Sequence, residues 1–289
     1  MSDSGCDVLL TGSMGNIADV ARKALESHGL TVRCMPFAQN TLRDECGYLR
    51  ELKKSMSQYN SHVIIPVGDA TVLSRFNANS VLSDAVIPVD TPNNIELLNS
   101  KTECYRLAAK AGLPQPRLFT DIGHIDMYPV IFKRDRSFGG TGVRKPSTRR
   151  ALEQLIAKEK PDAKWLVQEY IDGQCCSIDV FMCNGMFEYG CYRTLSTDQR
   201  LGPSVCREAL AAGTKLAGQM SHYAEILLGR IGFQGVCGLD FIMDNAGQAY
   251  FLECNPRFTG GLQTQLDAGL DLPFLWYNMA VTIKKDRSR

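Results

Sequence analysis

Short apolar runs alternate with an amphipathic stretch in the first part of the chain. Residues 7–11 and 62–67 are mainly apolar runs of strand length, and residues 31–35 and 85–89 are two further β-prone runs. A helix is predicted over 16–28, after the first strand. Because strands that alternate with helices form parallel sheets, the pattern predicts a small doubly wound α/β domain.

The pattern changes at a junction over residues 90–116. Pro92 and Asn93 open a predicted helix there, and Gly112 with the prolines that follow ends it. Beyond the junction we predict four paired strands, at 128–134, 164–171, 175–183 and 185–193. A long amphipathic helix is predicted at about 207–229, and a closing helix begins at about 273. We therefore predict two domains, 1–92 and 93–289, with a lid subdomain at about 114–193 in the second.

A predicted hairpin between residues 236 and 255 carries acidic residues where a core strand would be apolar. With a loop of two or four residues, Asp240 lies opposite Phe251 and on the same face as Glu253; a three-residue loop puts the two carboxylates on opposite faces. On a shared face they are diagonal neighbours, roughly 7–8 Å apart at the backbone, and both reach one cation. Such hard oxygen ligands suit Mg²⁺. The alternative is a polar hairpin face that is simply solvated.

Composition and charge narrow the class of protein. The chain has 289 residues, 44% hydrophobic and 22% charged, as is ordinary for a soluble globular protein. A net charge of +1 gives no electrostatic footprint for nucleic acid or an anionic membrane, and no apolar run approaches the ~20 residues of a membrane span. The start of the chain lacks a signal-peptide pattern, and none of the 11 cysteines forms a CxxC pair. We expect a cytoplasmic protein whose partners are small molecules, with no nucleic acid or membrane among them.

A glycine-rich loop beside a lysine is a candidate phosphate site. Ser137, Gly139, Gly140 and Gly142 follow a predicted strand that contains Lys133. The three glycines let backbone N–H groups close over phosphates, although a flexible hairpin tip accounts for them equally well. A buried lysine needs an anionic partner, which favours the phosphate interpretation.

The order of these motifs resembles the ATP-grasp superfamily, in particular its carbamoyl-phosphate-synthase-like and carboxylate–amine ligase branch. The matching pieces are a helix lysine (Lys101), a strand lysine (Lys133) and the sequences SFGGTGV, VQEYIDG, GLDF and FLECNPR. The resemblance covers essentially the whole chain. It implies an α/β protein in which a Rossmann-like pre-ATP-grasp domain precedes an ATP-grasp domain built on antiparallel sheets.

The resemblance also implies a role for individual residues. ATP would be held by Lys101, Lys133, Ser137, Gly139, Gly140, Thr141, Gln168, Glu169, Tyr170 and Ile171. Mg²⁺, with Mn²⁺ as the alternative, would be held by Asp240, Glu253 and Asn255, and the catalytic arginines would be Arg257 and Arg193. Cys175 departs from the family pattern, because it stands where a ribose-binding glutamate is usual.

The activity that the resemblance implies is an ATP-dependent ligase. It would activate a small carboxylate, first of all an amino acid, as an acyl-phosphate and join it to an amine. Three alternatives stay open: an enzyme that activates bicarbonate, a non-catalytic ATP-binding sensor or subunit, and a dinucleotide oxidoreductase built on the turn TGSMGN, which lacks the full GxGxxG fingerprint. Homodimerisation also stays open.

Two polar segments are expected to complete the site. Residues 193–208 are predicted to be a mobile loop, either a lid or a solvated linker. Residues 259–263 are predicted to line a specificity pocket beside Arg257, because their glycines let the backbone approach a ligand closely.

Overall fold

A parallel sheet forms the N-terminal part of the computed structural model, which describes residues 5–12, 15–35, 44–137, 142–160, 162–197 and 204–287. Its elements are β1 (Val8–Thr11), α1 (Ile17–Ser27), β2 (Val32–Cys34), α2 (Glu45–Tyr59), β3 (Ile64–Pro66) and α3 (Ala70–Ala78). The strand order is β2-β1-β3, and β1 runs parallel to both neighbours. The predicted alternation of strand and helix is present. Three predicted nucleotide-binding residues, Gly139, Gly140 and Thr141, lie outside the described residues.

The further strand predicted around Val86 is wrong. Val86 makes a single parallel bridge to Val63. Pro88 has no N–H to donate to a ladder, and the N–H of Val89 turns back to Ile87 O at 2.8 Å. The run is apolar because it is buried in the core, and it does not extend the sheet.

The junction carries two helices instead of the predicted one. These are α4 (Pro92–Asn99) and α5 (Lys101–Lys110). They meet at Ser100, whose backbone is extended with φ −90° and ψ 114°. The Ser100 hydroxyl accepts a hydrogen bond from the N–H of Glu103 at 3.3 Å and so caps α5. The break makes Lys101 the first residue of α5, where its side chain is buried.

Two antiparallel sheets form the rest of the described chain. The first has the order β4-β6-β5 and contains β4 (Leu118–Phe119), β5 (Val130–Arg134) and β6 (Trp165–Glu169), with α6 (Arg149–Ile156) between β5 and β6. The second has the order β11-β10-β7-β8-β9 and contains β7 (Gly173–Cys183), β8 (Met186–Thr197), β9 (Ser204–Leu210), β10 (Gly235–Asp244) and β11 (Ala249–Asn255). Its helices are α7 (Lys215–Gly229), α8 (Leu262–Asp267) and α9 (Leu272–Arg287). The predicted α/β class with antiparallel sheets is confirmed.

The long helix α7 begins later than its amphipathic spacing predicts. Its N-cap is Thr214, whose hydroxyl accepts from the N–H of Ala217 at 3.3 Å. The apolar spacing extends before the helix as far as Leu210, but Gly213 and Thr214 set the start of the helix after them. The residues before them form β9, which pairs with β8.

The pairing of β8 with β9 also corrects the loop predicted at 193–208. Both ends of that segment are strand, and 198–203 lie outside the described residues. Thr194 still pairs with Arg207, so the hairpin is ordered by backbone bonds close to the predicted loop. The prediction of a mobile loop over the whole of 193–208 is therefore wrong.

Apolar clusters connect the parallel sheet to the last helices and cover one face of the large antiparallel sheet. Val8 packs in one cluster with Phe258 and Trp276, and Trp276 Nε1 donates to Pro88 O. A second cluster packs α7 against the face of β7 and β10 that carries Ile178. The opposite face of those strands therefore holds the polar residues. Within the described ranges, no helix combines the length and the apolar character needed to cross a membrane.

Candidate active site

A cavity of about 370 Å³ is lined by residues of both antiparallel sheets, and its size is typical of a small-molecule site. Eleven of the predicted site residues line it: Lys101, Lys133, Ser137, Gln168, Glu169, Tyr170, Ile171, Asp240, Glu253, Asn255 and Arg257. The structure thus brings together, around one space, residues that span most of the sequence. Arg193 is not among the lining residues.

Asp240 and Glu253 face each other directly across the β10–β11 hairpin. The N–H of Asp244 donates to Gln248 O at 3.0 Å, which leaves a three-residue loop, so the expected loop of two or four residues is wrong. Such a loop alone would put the two carboxylates on opposite faces. A β-bulge after Asp240 makes Leu252 an extra residue and returns Glu253 to the face of Asp240. The carboxylates share a face as predicted, in direct rather than diagonal register.

The Asp240 carboxylate is held by neutral hydrogen-bond donors. Ser177 Oγ donates to its Oδ1 at 2.6 Å, and Asn255 Nδ2 donates to its Oδ2 at 3.1 Å. Burial, and then the neighbouring charge of Glu253, raise the pKa of Asp240 above its usual range. Two carboxylates that share a half-buried face are stabilised by a cation. The face that carries Asp240 and Glu253 lines the cavity.

Lys101 forms an ion pair with one member of this acidic pair. Its Nζ lies 3.1 Å from Glu253 Oε2 and donates to Ser137 O at 2.8 Å. The lysine is 6% exposed, so the ion pair is well shielded from water. Lys101 therefore links the hairpin to the start of the glycine-rich loop.

Lys133 is buried without an acidic partner among the described residues. Its Nζ donates to Leu252 O and approaches Tyr105 OH, each at 3.4 Å, and lies 5.0 Å from the centroid of the Tyr105 ring. Burial, with a smaller contribution from the charge of Lys101, lowers the pKa of Lys133 to about 8, although Glu253 opposes the shift. A buried ammonium with neutral neighbours is suited to receiving an anion from the cavity.

Residues 168–171, the predicted adenine contacts, also line the cavity. Their side chains are already engaged: Gln168 Oε1 accepts from Tyr105 OH at 2.9 Å, and Glu169 Oε2 accepts from Arg117 N–H at 3.2 Å. Tyr170 lies under Lys145, whose Nζ is 3.2 Å from the ring centroid. What this stretch offers to a ligand is therefore its backbone and apolar surface. Cys175 also lines the cavity.

Arg257 follows β11 and points along the acidic face. Its Nη2 donates to Asn255 Oδ1 at 2.7 Å, and Nη1 donates to Phe258 O at 3.4 Å. Burial lowers its pKa, while the charges of Glu253 and Asp240 oppose the shift. The guanidinium is therefore fixed in place at the edge of the carboxylate pair.

The structure does not bring Arg193 to the cavity but places Arg207 there. Arg193 lies on β8 and forms an ion pair with Glu208 across the strand pair, on the exposed face. Arg207 precedes Glu208 on β9, so its side chain points to the opposite face, where it lines the cavity. Sequence reasoning missed it because β9 was divided between the end of a predicted loop and the start of a predicted helix. The alternation of sides along a strand is the signal that separates Arg207 from Glu208.

The donor set on the hairpin is two carboxylates and one amide. Among the described residues, no group of three or more His, Cys, Asp or Glu side chains is placed to hold a metal ion. Any ion bound by Asp240, Glu253 and Asn255 would therefore take further ligands from water or substrate, as Mg²⁺ usually does.

Comparison with known families and structures decides what kind of cavity this is. A family model for the ATP-grasp domain matches residues 98–261, more than half of the chain. The chain belongs to the ATP-grasp family. Every residue that lines the cavity falls within the matched range. No curated protein matches the sequence.

Solved structures share the fold of this ATP-grasp protein. Biotin carboxylase from Campylobacter jejuni is 17% identical with a TM-score of 0.77, over 95% of this chain and 71% of that one. An L-amino acid ligase from Bacillus licheniformis is 14% identical with a TM-score of 0.74, over 96% and 75%. An N5-carboxyaminoimidazole synthetase from Staphylococcus aureus, complexed with ADP, is 16% identical with a TM-score of 0.72, over 95% and 77%. Identities this low establish the fold alone.

Proposed function

We propose that this protein is an ATP-dependent ligase that activates a small carboxylate as an acyl-phosphate and joins it to an amine, with release of ADP and phosphate. The direct pairing of Asp240 with Glu253 carries the proposal, because both face a cavity that also holds Lys101, Lys133 and Arg257. Phosphoryl transfer depends mainly on positioning and on neutralising charge. These five side chains provide both.

The hairpin donor set fits Mg²⁺ by its chemistry, and Mn²⁺ is the alternative. Carboxylate and amide oxygens are the hard ligands that this ion prefers, and Mg²⁺ is usually bound by one or two carboxylates together with substrate phosphates. Bound there, the ion supplies the positive charge that lets a polyphosphate approach Asp240 and Glu253. Asn255 Nδ2 already donates to Asp240 Oδ2 at 3.1 Å, which orients that carboxylate.

The cationic residues divide the remaining work. We propose that Lys133, which has no acidic partner among the described residues, holds nucleotide phosphate, and that Lys101 joins it by exchanging Glu253 for phosphate. Arg257 then meets the transferred phosphoryl group, where its forked N–H groups match a pair of oxygens. Their burial strengthens each of these interactions, because water screens them less.

The nucleotide base is proposed to lie beside residues 168–171, against backbone and the apolar surface of Ile171. The chain division proposed with it is 1–92 and 93–289, with the lid at about 114–193. Trp276 and Phe258 of the second part pack in one apolar cluster with β1 of the first, which favours a fixed relation between the two parts.

The lining offers polar side chains to an organic substrate. Tyr192, Thr194 and Ser204 line the cavity together with Arg257. The L-amino acid ligase among the structural neighbours is consistent with an amino acid as the carboxylate. Bicarbonate activation is the second candidate, favoured by the similarity to biotin carboxylase.

A phosphate-release assay tests the proposal. The protein is incubated with ATP and Mg²⁺ and with the common amino acids, singly and in pairs, with and without bicarbonate. ADP formation that requires an amino acid supports the ligase, and formation that requires bicarbonate supports the second candidate. Tight ATP binding without turnover under any of these conditions would contradict both. A Glu253→Gln preparation, purified in parallel, reports any contaminating ATPase.

A further inference from the structure

Arg207 belongs to a part of the cavity that the proposed metal and phosphate contacts leave unused. Tyr192, Arg207, Thr259 and Gly260 line it together, and we call these four residues the Arg207 wall. The Arg207 guanidinium carbon lies 5.9 Å from the centroid of the Tyr192 ring. A Cβ atom at Gly260 would lie only 2.8 Å from Arg207 Nη2, so glycine leaves room for the guanidinium.

Among the described residues, one hydrogen-bond acceptor is found for the Arg207 guanidinium. Its Nη2 donates to Ser204 O at 2.6 Å, and its buried Nε has no hydrogen-bond partner among those residues. In the described part of the chain, no carboxylate lies within ion-pair distance of its guanidinium. An arginine presents five N–H donors, and leaving them unsatisfied in a half-buried position is unfavourable. The position is suited to an anion from outside the protein.

The neighbouring arginines are used differently. Arg193, on the other face of the same strand pair, is neutralised by Glu208. Arg257 donates to Asn255 Oδ1 at 2.7 Å and faces the acidic pair. Arg207 has no carboxylate within ion-pair distance among the described residues, although it lines the same cavity as Arg257 and its charge acts on buried Asp179 from further away.

The nearest buried acid behind the wall is already occupied. Asp179 accepts from Thr259 Oγ1 at 2.8 Å and from Gln265 Nε2 at 3.2 Å. The Thr259 hydroxyl also lies 3.3 Å from Tyr192 OH and accepts from the N–H of Gly261 at 3.0 Å. Asp179 thus holds the backbone of the wall in place and leaves the Arg207 guanidinium directed to the cavity.

We propose that Arg207 binds a substrate carboxylate that is not activated. Resting on the proposed ligase function, this means that one of the two substrates carries a carboxylate through the reaction unchanged, which bicarbonate activation alone would not require. The carboxylate is either the α-carboxylate of an amino acid that supplies the amine, or the second carboxylate of a dicarboxylic acid. In both cases two parallel N–H groups of the guanidinium meet its two oxygens.

Binding measurements test the proposal without turnover. The full-length protein, saturated with Mg²⁺ and the non-hydrolysable analogue AMP-PNP, is titrated calorimetrically with the common amino acids, succinate and glutarate. Each is compared with its carboxamide, or with its monoamide for the two dicarboxylates. At least one carboxylate is expected to bind about tenfold or more tightly than its amide, the size of one charge-assisted contact. The series that responds identifies the source of the carboxylate.

The variant Arg207→Gln is expected to bind that carboxylate and its amide equally, with unchanged affinity for AMP-PNP. Arg149→Gln is the matched control, because Arg149 is an exposed arginine paired with Glu153 on α6, and it is expected to keep the preference. If Arg207→Gln does not fold, Arg207→Lys replaces it and is expected to keep only part of the preference, because lysine cannot form the forked contact.

Three results would overturn the proposal: no carboxylate preferred over its amide by the wild type, the same preferences for all carboxylates in Arg207→Gln as in the wild type, or the same preferences for all of them in Arg207→Lys. The proposed function fails separately. If the carboxylate preference depends on Arg207 but no amino acid or dicarboxylate supports ADP formation, the binding site stands and the ligase activity does not.

Discussion

Lys101 Nζ lies 3.1 Å from Glu253 Oε2, so the first residue of α5 neutralises one of the two carboxylates that face each other across the hairpin. The same ammonium donates to Ser137 O at 2.8 Å, at the start of the glycine-rich loop. We infer that this ion pair holds the site in shape before nucleotide binds. In the proposed function, Lys101 would exchange Glu253 for nucleotide phosphate, and Glu253 would be free to hold Mg²⁺ together with Asp240.

Glu253→Gln is expected to lower kcat by about 100-fold or more while the protein stays folded. The change removes one negative charge from the proposed metal site and leaves Lys101 without its ionic partner. Steady-state ADP formation measures the loss, and circular dichroism checks the fold. Glu225→Gln, an exposed change on α7, is the control. Unchanged kinetics in Glu253→Gln would show that the hairpin face does not bind the metal.

Lys133→Ala is expected to weaken AMP-PNP binding by about 10- to 100-fold, the size of one charge-assisted contact to phosphate. Because Lys133 is buried with only neutral hydrogen-bond acceptors among the described residues, its removal should not lower the stability of the free protein in proportion. Calorimetric titration gives the affinity, and Lys110→Ala, at the exposed end of α5, is the control. Full retention of AMP-PNP affinity would show that Lys133 does not contact the nucleotide phosphates and only packs in the fold.

The chemical content of the hairpin could be predicted from sequence, but its register could not. The spacing of Asp240 and Glu253 indicates a shared polar face in any hairpin with an even loop. The actual loop has three residues, and the face is shared only because of the bulge at Leu252. The carbonyl of Leu252 accepts a hydrogen bond from the ammonium of Lys133. Local sequence cannot reveal such a contact between distant parts of the chain.

Element boundaries failed where two signals competed. The apolar spacing of α7 continued through Gly213 towards Leu210, so the helix prediction took in the end of β9, while the loop prediction took in its start. With β9 divided between a loop and a helix, the side that Arg207 faces could not be assigned, and Arg193 was chosen instead. Burial similarly gave the segment around Val86 the appearance of a strand, although Pro88 prevents a ladder.

A buried acid between β3 and α3, in contact with Thr11 at the end of β1, predicts a pH dependence of stability. Burial raises the pKa of Asp69 to about 6, although hydrogen bonds from Tyr48 and Thr11 oppose the shift. The folded state therefore binds this proton more tightly than the unfolded chain, whose aspartate pKa is about 3.9. The stabilisation is fully present below about pH 4 and is lost as the pH rises through about 6, by on the order of 2–3 kcal/mol.

Urea unfolding of the wild type and of Asp69→Asn at pH 4.5 and 7.5 measures the contribution of Asp69 to the free energy of unfolding. The asparagine cannot ionise, so the difference in free energy of unfolding between the two pH values should change by about 2 kcal/mol in the variant, because part of the full amount is already lost at pH 4.5. The same pH dependence in both proteins would show that Asp69 is already ionised at pH 4.5 in the folded state or does not contribute.

The glycine after Gly260 is required by close packing. A Cβ at Gly261 would lie 2.4 Å from ring atoms of Tyr192, which is buried. Gly261→Ala is therefore expected to lower the free energy of unfolding by roughly 1–3 kcal/mol. Gly218, on the exposed side of α7, has nothing within 4 Å of its Cβ position, and Gly218→Ala should stabilise by roughly 0.5–1 kcal/mol. Denaturant titrations of the two variants should shift in opposite directions.

The acyl-phosphate is tested most directly by following oxygen. The carboxylate substrate that supports ADP formation is prepared with both carboxylate oxygens as ¹⁸O, and the inorganic phosphate released is analysed by mass spectrometry. Attack of the carboxylate on the γ-phosphate forms the new P–O bond, and attack of the amine on the acyl carbon breaks the C–O bond. The account predicts one ¹⁸O atom in each phosphate released. Phosphate without the label, formed at the same rate as ADP, would contradict it.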